Sequence, residues 1–242
     1  MNTLGNKLRI TVFGQSHGPS IGCVVDGFPA GFRPDMDKLA AFMARRAPGR
    51  SSISTQRREP DAVEFLSGMV DGVLCGAPLC AVIANTGHHS ADYDALKDIP
   101  RPSHADFTAR MKYGESCDLR GGGQFSGRLT APLCAAGGIA LQILEQRGIR
   151  IGAHIAQIGK IHDRTPDFAA VDAAMLSRLS EKALPVFDNT AILAMTQRIE
   201  NAAQDGDSVG GVIRCFALGL PSGIGEPMFS GVESRLATAL FG

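Results

Sequence analysis

Two histidines, a crowd of arginines and a run of three glycines carry the chemical signal in this chain. His17 sits in Gly14-Gln15-Ser16-His17-Gly18-Pro19 and His104 in Pro102-Ser103-His104-Ala105-Asp106, both turn-forming stretches. An imidazole presented on a turn exchanges protons near neutral pH. The segment RRAPGRSSISTQRR, residues 45–58, holds five arginines and no acid. Its Pro-Gly and Ser-rich middle argues against a solvated helix face, where acids intersperse, and favours a receptor loop for phosphate or carboxylate. Arg120 to Pro132 reads RGGGQFSGRLTAP. Consecutive glycines let backbone approach a ligand closely, and a helix starting just after them aims its N–H groups at that ligand. Arg120 and Arg128 would add charge to this anion cradle. No Gly-Lys-Ser/Thr follows, so it is not a Walker loop, and contiguous glycines do not fit the dinucleotide fingerprint. Taken singly, each histidine reads as a turn-capping loop residue and the glycine run also as a tight turn before a buried helix. Together they suit a phosphorylated anion with proton transfer at one or two imidazoles.

The elements that must position these groups are short strands and helices in alternation. Leu8 to Phe13 and Ile21 to Val25 read as strands separated by the His17 turn. Asp35 N-caps a helix carrying Leu39, Phe42 and Met43 and ending near Arg46. Val63 to Met69 and Ala81 to Asn85 read as strands of an open or mixed sheet. Leu133 to Leu144 is apolar nearly all round, a buried helix ending at Gly148. Ile149 to Ile161 alternates as a strand. Phe168 to Leu179 and Asn189 to Gln204 read as amphipathic helices, and Ser208 to Leu220 as a strand. A last helix is expected from Val232 to Phe241. SIGCVVDGFPAG and SVGGVIRCFALGLPSG each run a strand into a Gly turn, which suggests an internal duplication.

Composition excludes several classes. Lys+Arg and Asp+Glu balance at 24 each over 242 residues, so no global field favours nucleic acid or a membrane surface. Tryptophan is absent, which weakens single-strand stacking readings. The six cysteines lack CxxC spacing and mostly adjoin aliphatic residues, which favours buried reduced thiols in a cytosolic protein. The N-terminus has no apolar h-region, and no run is expected to reach the length of a membrane span. His88 and His89 have no third ligand at metal spacing, and no metal site is expected. His154 and His162 read as structural.

In order along the chain, GQSHGPSIGCVVDGFP, TQRREPD, RPSHAD, KYG and GGGQFSGRLTAP resemble the chorismate synthases, and GDSVGG and LPSGIGEPMF extend the likeness to the end. Gln15 replaces the family's usual acid or Ser, and Gln124-Phe125-Ser126-Gly127 differs from the Arg-Ser-Ser-Ala of many bacterial members. The resemblance covers the N-terminal two-thirds of a typical member; residues 1–242 are expected to form a single domain lacking the later segment with its Arg-x-Asp motif. It implies an α+β fold, a β-α-β sandwich with internal pseudo-symmetry, in a cytoplasmic homotetramer. It also implies trans-1,4 elimination of phosphate from 5-enolpyruvylshikimate 3-phosphate, giving chorismate, with reduced FMN and, in some members, NADPH as reductant. By resemblance His17 and His104 are the catalytic histidines, one protonating the leaving phosphate and the other the flavin. Ser16, Arg46, Arg50 and Arg128 would hold substrate, and Gln124, Phe125 and Ser126 would contact FMN. The alternative is a truncated, non-catalytic homologue serving as a binding or assembly subunit.

Overall fold

The computed structural model describes residues 2–47, 60–86 and 99–242. Packing divides it into two compact units, the first containing the described residues up to Gln142 and the last four, the second Ile143–Thr238 without those four.

The first unit holds β1 (Thr3–Leu4), β2 (Arg9–Gly14), β3 (Ser20–Asp26), α1 (Met36–Arg46), β4 (Val63–Ser67), β5 (Met69–Val70), β6 (Val73–Leu74), β7 (Leu79–Ala84) and α2 (Asp106–Tyr113). Helix α3 (Thr130–Gln146) completes it as far as Gln142, its last four residues being counted with the second unit. The main sheet has order β1-β2-β3-β7-β4, and every neighbouring pair is antiparallel. Of the open or mixed sheet expected, the structure shows an open, all-antiparallel one; the short link from Gln15 to Pro19 can join β2 and β3 only as antiparallel neighbours. Alternation buries one face: Ile21, Cys23 and Val25 of β3 and Leu79, Ala81 and Ile83 of β7 are all 2% exposed or less. Helix α3 packs on that face, where the Cys23 thiol donates to the Pro132 carbonyl at 3.3 Å. Gly138 lets α3 approach α1, since a Cβ there would stand 2.6 Å from Leu39 Cδ1. Asp35 caps α1 as expected, its carboxylate accepting from Lys38 N–H at 3.0 Å. The Gln142 amide brackets the same turn, accepting from Asp35 N–H and donating to its carbonyl.

By length and composition Arg120–Gln146 does reach a membrane span, which the sequence reading missed. Left-handed glycines interrupt it at its start, and Ala131, Pro132, Ala135, Ala136, Gly138 and Ile139 are buried in the fold. It is a core helix of the first unit.

The second unit contains β8 (Arg150–Ile158), β9 (Ile161–His162), α4 (Ala173–Glu181), α5 (Ala191–Gln204) and β10 (Gly211–Leu218), and α6 (Val232–Phe241) follows. Its sheet has order β10-β8-β9, again antiparallel. The single strand expected to Ile161 is two, because Gly159 at φ 58° turns the chain between β8 and β9. The helix expected from Phe168 is a 3-10 turn followed by α4, whose N-cap Asp172 accepts from Met175 N–H at 2.7 Å. The stripe read on α5 is present: Met195 is buried against Val186 and Ile158, with Ile192 and Ile199 beside it. His154 is 1% exposed, its Nδ1 2.8 Å from Asp163 Oδ2. Asp163 also accepts from the N–H groups of Arg164, Phe187 and Asp188, so this pair ties three chain segments together.

The duplication suggested by the sequence has a local counterpart. Arg9 of β2 pairs with Asp26, the last residue of β3, and Arg150 of β8 pairs with Leu218, the last residue of β10. In both, the next residue is a left-handed glycine pressed on the carbonyl just before the partner strand. A Cβ on Gly27 would stand 2.2 Å from the Lys7 carbonyl oxygen, and one on Gly219 would stand 2.4 Å from that of Gly148. The fold class is α+β.

All six cysteines are unpaired, as expected of reduced thiols; Cys23 is buried, whereas Cys75 and Cys215 are exposed, which the expectation of buried thiols did not distinguish.

Candidate active site

Gly121, Gly122 and Gly123 all adopt left-handed backbone, with φ of 56°, 90° and 52°. L-residues with a Cβ avoid this region, and here space forbids one as well. A Cβ on Gly121 would stand 2.1 Å from Cε1 and Nδ1 of His17 and 3.1 Å from Ser16 Oγ. A Cβ on Gly122 would stand 3.0 Å from His104 Nε2. The Gly123 carbonyl accepts from Ser16 N–H at 3.1 Å. Consecutive residues of one turn therefore touch the two imidazoles, which the sequence separates widely. Gly121 and Gly122 face the two histidines, whereas a Cβ on Gly123 would meet the Asp118 carbonyl oxygen at 1.9 Å.

The His17 loop is pinned from its other side by Asn85. Its side-chain amide donates to the Gln15 and Gly18 carbonyls at 3.1 and 2.9 Å, and its backbone N–H donates to Pro19. Ser16 and His17 are consequently 1% and 8% exposed. Asn85 Oδ1 also accepts from Arg128 Nε at 3.2 Å. A further Arg128 nitrogen donates to Asp61, and the second Asp61 oxygen accepts from Arg46 Nη1. Asp61 is 1% exposed and sits in left-handed backbone at φ 48°. One buried carboxylate thus serves two guanidiniums among the described residues. The Arg46 side chain is 21% exposed and that of Arg128 only 4%, so Arg46 is the more accessible of the two. Arg50, His88 and His89 lie outside the described residues.

His104 Nδ1 lies 2.6 Å from Asp106 Oδ1. Asp106 is clamped by Arg101, which donates from its backbone N–H and Nε to Oδ2 at 3.1 and 2.7 Å and from Nη2 to Oδ1 at 2.9 Å. The Arg101 side chain, more than any other group, holds the Asp106 carboxyl well below the usual carboxylate range. Arg120, expected to bind an anion, forms two hydrogen bonds with Asp118 at 2.9 Å and lowers that carboxyl. Gln124 accepts from Asn2 at 3.2 Å. The Ser126 hydroxyl caps the start of the following helical turn, accepting from Arg128 N–H at 3.3 Å. Phe125 is 41% exposed, with the Tyr113 ring centroid 6.4 Å away.

The structure brings His17, His104, Ser16, Arg46 and Arg128 onto the first unit's glycine turn and its neighbours. Asp61, Asn85 and Asp106 were missed as site residues. Asp61 ends TQRREPD and Asp106 ends RPSHAD, so an acid beside arginine or histidine in a motif was the available signal; Asn85 had none.

In this α+β protein, two imidazoles on one glycine turn and two arginines sharing a carboxylate on the same unit are an arrangement that suits acid–base chemistry on an anion. Comparison with known proteins is more specific. Residues 8–242 match the family model for chorismate synthase, and the chain belongs to the chorismate synthase family. It is 42% identical to the chorismate synthase of Lancefieldella parvula, aligning 100% of this chain with 66% of that protein. It is 43% identical to that of Parabacteroides distasonis over 99% of this chain and 66% of the relative. For the Korarchaeum cryptofilum protein the figures are 40%, 98% and 64%. The chain therefore spans slightly less than two thirds of the length of these curated relatives. A crystal structure of a chorismate synthase superposes with TM-score 0.70 over 91% of this chain and 60% of the other, at 24% identity, a likeness of fold.

Proposed function

We propose that this chain provides the histidine-bearing site of a chorismate synthase. The reaction is the trans-1,4 elimination of phosphate and a ring proton from 5-enolpyruvylshikimate 3-phosphate to give chorismate. The observation that carries the reading is the contact of Gly121 with His17 and of Gly122 with His104, which holds two proton-exchanging groups on one turn. The departing phosphate gains charge, and an imidazolium at either histidine relieves it by giving up a proton. Arg46, with Ser16, Arg128 and Arg50, would hold the phosphate and carboxylates of the substrate. Asp61 orients Arg46 without cancelling the charge of both guanidiniums.

The exposed rings of Phe125 and Tyr113, with Gln124 and Ser126 in the same segment, suit a flat amphipathic aromatic such as a flavin. The transient electron that assists C–O cleavage would come from reduced FMN held there. The same reading carries a small-molecule substrate, NADPH or a separate reductase as source of electrons, one domain over residues 1–242, a homotetramer and a cytoplasmic location. Family membership supports these.

Anaerobic titration with 5-enolpyruvylshikimate 3-phosphate and reduced FMN tests the proposal. The expected result is a flavin spectral change that requires substrate. Equal binding of unrelated sugar phosphates without flavin preference points to a general phosphate binder. Absence of any spectral response points to a binding or assembly subunit.

A further inference from the structure

We propose that Asp106, oriented by Arg101, is a positioning residue that fixes His104 in the Nδ1–H tautomer and so leaves Nε2 as its proton-exchanging atom. The inference rests on the functional reading above and deepens it. Sequence position gives Asp106 this role through local geometry: it is the first residue of α2, two residues after His104 on the same tight turn, where Ser103 has φ 58°. A carboxylate at the first turn of a helix is also favoured by the helix dipole.

An ionised carboxylate only accepts hydrogen bonds, so an imidazole nitrogen 2.6 Å from Asp106 Oδ1 must be the donor. The competing neighbour of Nδ1 is Arg101 Nη2 at 3.5 Å, which is farther and makes a better bond of 2.9 Å to the same carboxylate. In neutral His104 the proton is therefore on Nδ1 and the lone pair on Nε2. Among the described residues Nε2 has no hydrogen-bond partner, and it faces Gly122, where a Cβ would come within 3.0 Å. The atom left for exchange thus lies on the glycine turn that also carries His17.

Asp106→Asn separates positioning from mere packing. Two Arg101 donors converge on Oδ2, so the amide oxygen of the variant takes that place. Its NH2 then falls where Oδ1 faces His104, donates to Nδ1 and drives the ring proton to Nε2. The readout is the pair of 15N shifts of His104 in histidine-labelled protein at about pH 8.5, two units above the ordinary histidine value. His104→Gln assigns the signal among the six histidines. Wild type is expected to show a protonated Nδ1, and the Asn variant a protonated Nε2 with turnover lowered on the order of 10²- to 10⁴-fold. Asp106→Glu, which keeps an acceptor at that side, restores the wild-type tautomer. A wild-type spectrum with the proton on Nε2 overturns the proposal, and this test needs no variant to fold. An unchanged tautomer in the Asn variant also overturns it, as does an inverted tautomer with unchanged turnover. The spectrum is read without substrate, so a wild-type chain that shows the Nδ1–H tautomer but no turnover counts against the functional reading alone.

Discussion

Replacing Gly121 by Ala puts the geometry of the glycine turn to a quantitative test. The new Cβ falls 2.1 Å from His17 Cε1 and Nδ1 on a backbone with φ 56°. Left-handed backbone alone costs an L-residue about 1–2 kcal/mol. Ordinary contact begins near 3.4 Å, so the imidazole must retreat by about 1.3 Å. The loop itself is held by Asn85 and by the Ser16–Gly123 hydrogen bond, so the side chain yields before the backbone does. A displacement of that size at a reacting group lowers turnover on the order of 10²-fold. Gly127→Ala is the internal control, because an added Cβ there meets nothing within 4 Å. The assay is denaturant unfolding of both variants alongside anaerobic turnover. Gly121→Ala should lose about 2 kcal/mol or more and two decades of rate, and Gly127→Ala should stay within about 0.5 kcal/mol of wild type. If the two variants match each other in stability and rate, the contact between Gly121 and His17 does not hold.

Asp61→Ala removes the buried carboxylate to which Arg46 and Arg128 both donate and should destabilise the first unit by about 3–5 kcal/mol; a urea midpoint near wild type refutes the shared-carboxylate geometry. Asp106 and Asp163 both have lowered folded-state pKa values, the first chiefly through Arg101 and the second because its accepted hydrogen bonds outweigh its burial. Their stabilisation is complete above the unfolded carboxylate value of about 3.9 and is lost as pH falls from there toward the folded values. Melting temperature should therefore drop below about pH 4, and Asp163→Asn should flatten part of that drop. Burial pushes the Cys23 thiol up to about 12, so alkylation of the native protein at neutral pH should label Cys75 and Cys215 and reach Cys23 only on unfolding.

What the sequence made legible follows from how local each signal is. The Asp35 cap and the α5 stripe depend on periodicity and neighbouring residues and appear at their expected positions; α3 is a helix where expected but only partly buried, with Leu133 44% exposed, against the all-round burial its apolar run suggested. The two histidine turns were visible because Gly, Pro and Ser flank them. The partners that hold them were not, because Asn85 and Asp61 reach the site from distant strands and loops. Asp106 escaped notice although adjacent, since nothing in PSHAD reveals that its carboxylate folds back to His104 and Arg101. The glycine run was legible as a special backbone, and only the fold shows what excludes a Cβ there: the imidazoles at Gly121 and Gly122 and the Asp118 carbonyl at Gly123.

The central claim, that His17 and His104 together carry the proton transfers, is tested most directly by anaerobic phosphate release from 5-enolpyruvylshikimate 3-phosphate with reduced FMN. Wild type should release phosphate; His17→Ala and His104→Ala should each fall on the order of 10²- to 10⁴-fold while keeping wild-type melting curves. Wild-type rates in both variants, or no release by the wild-type chain, would contradict the account.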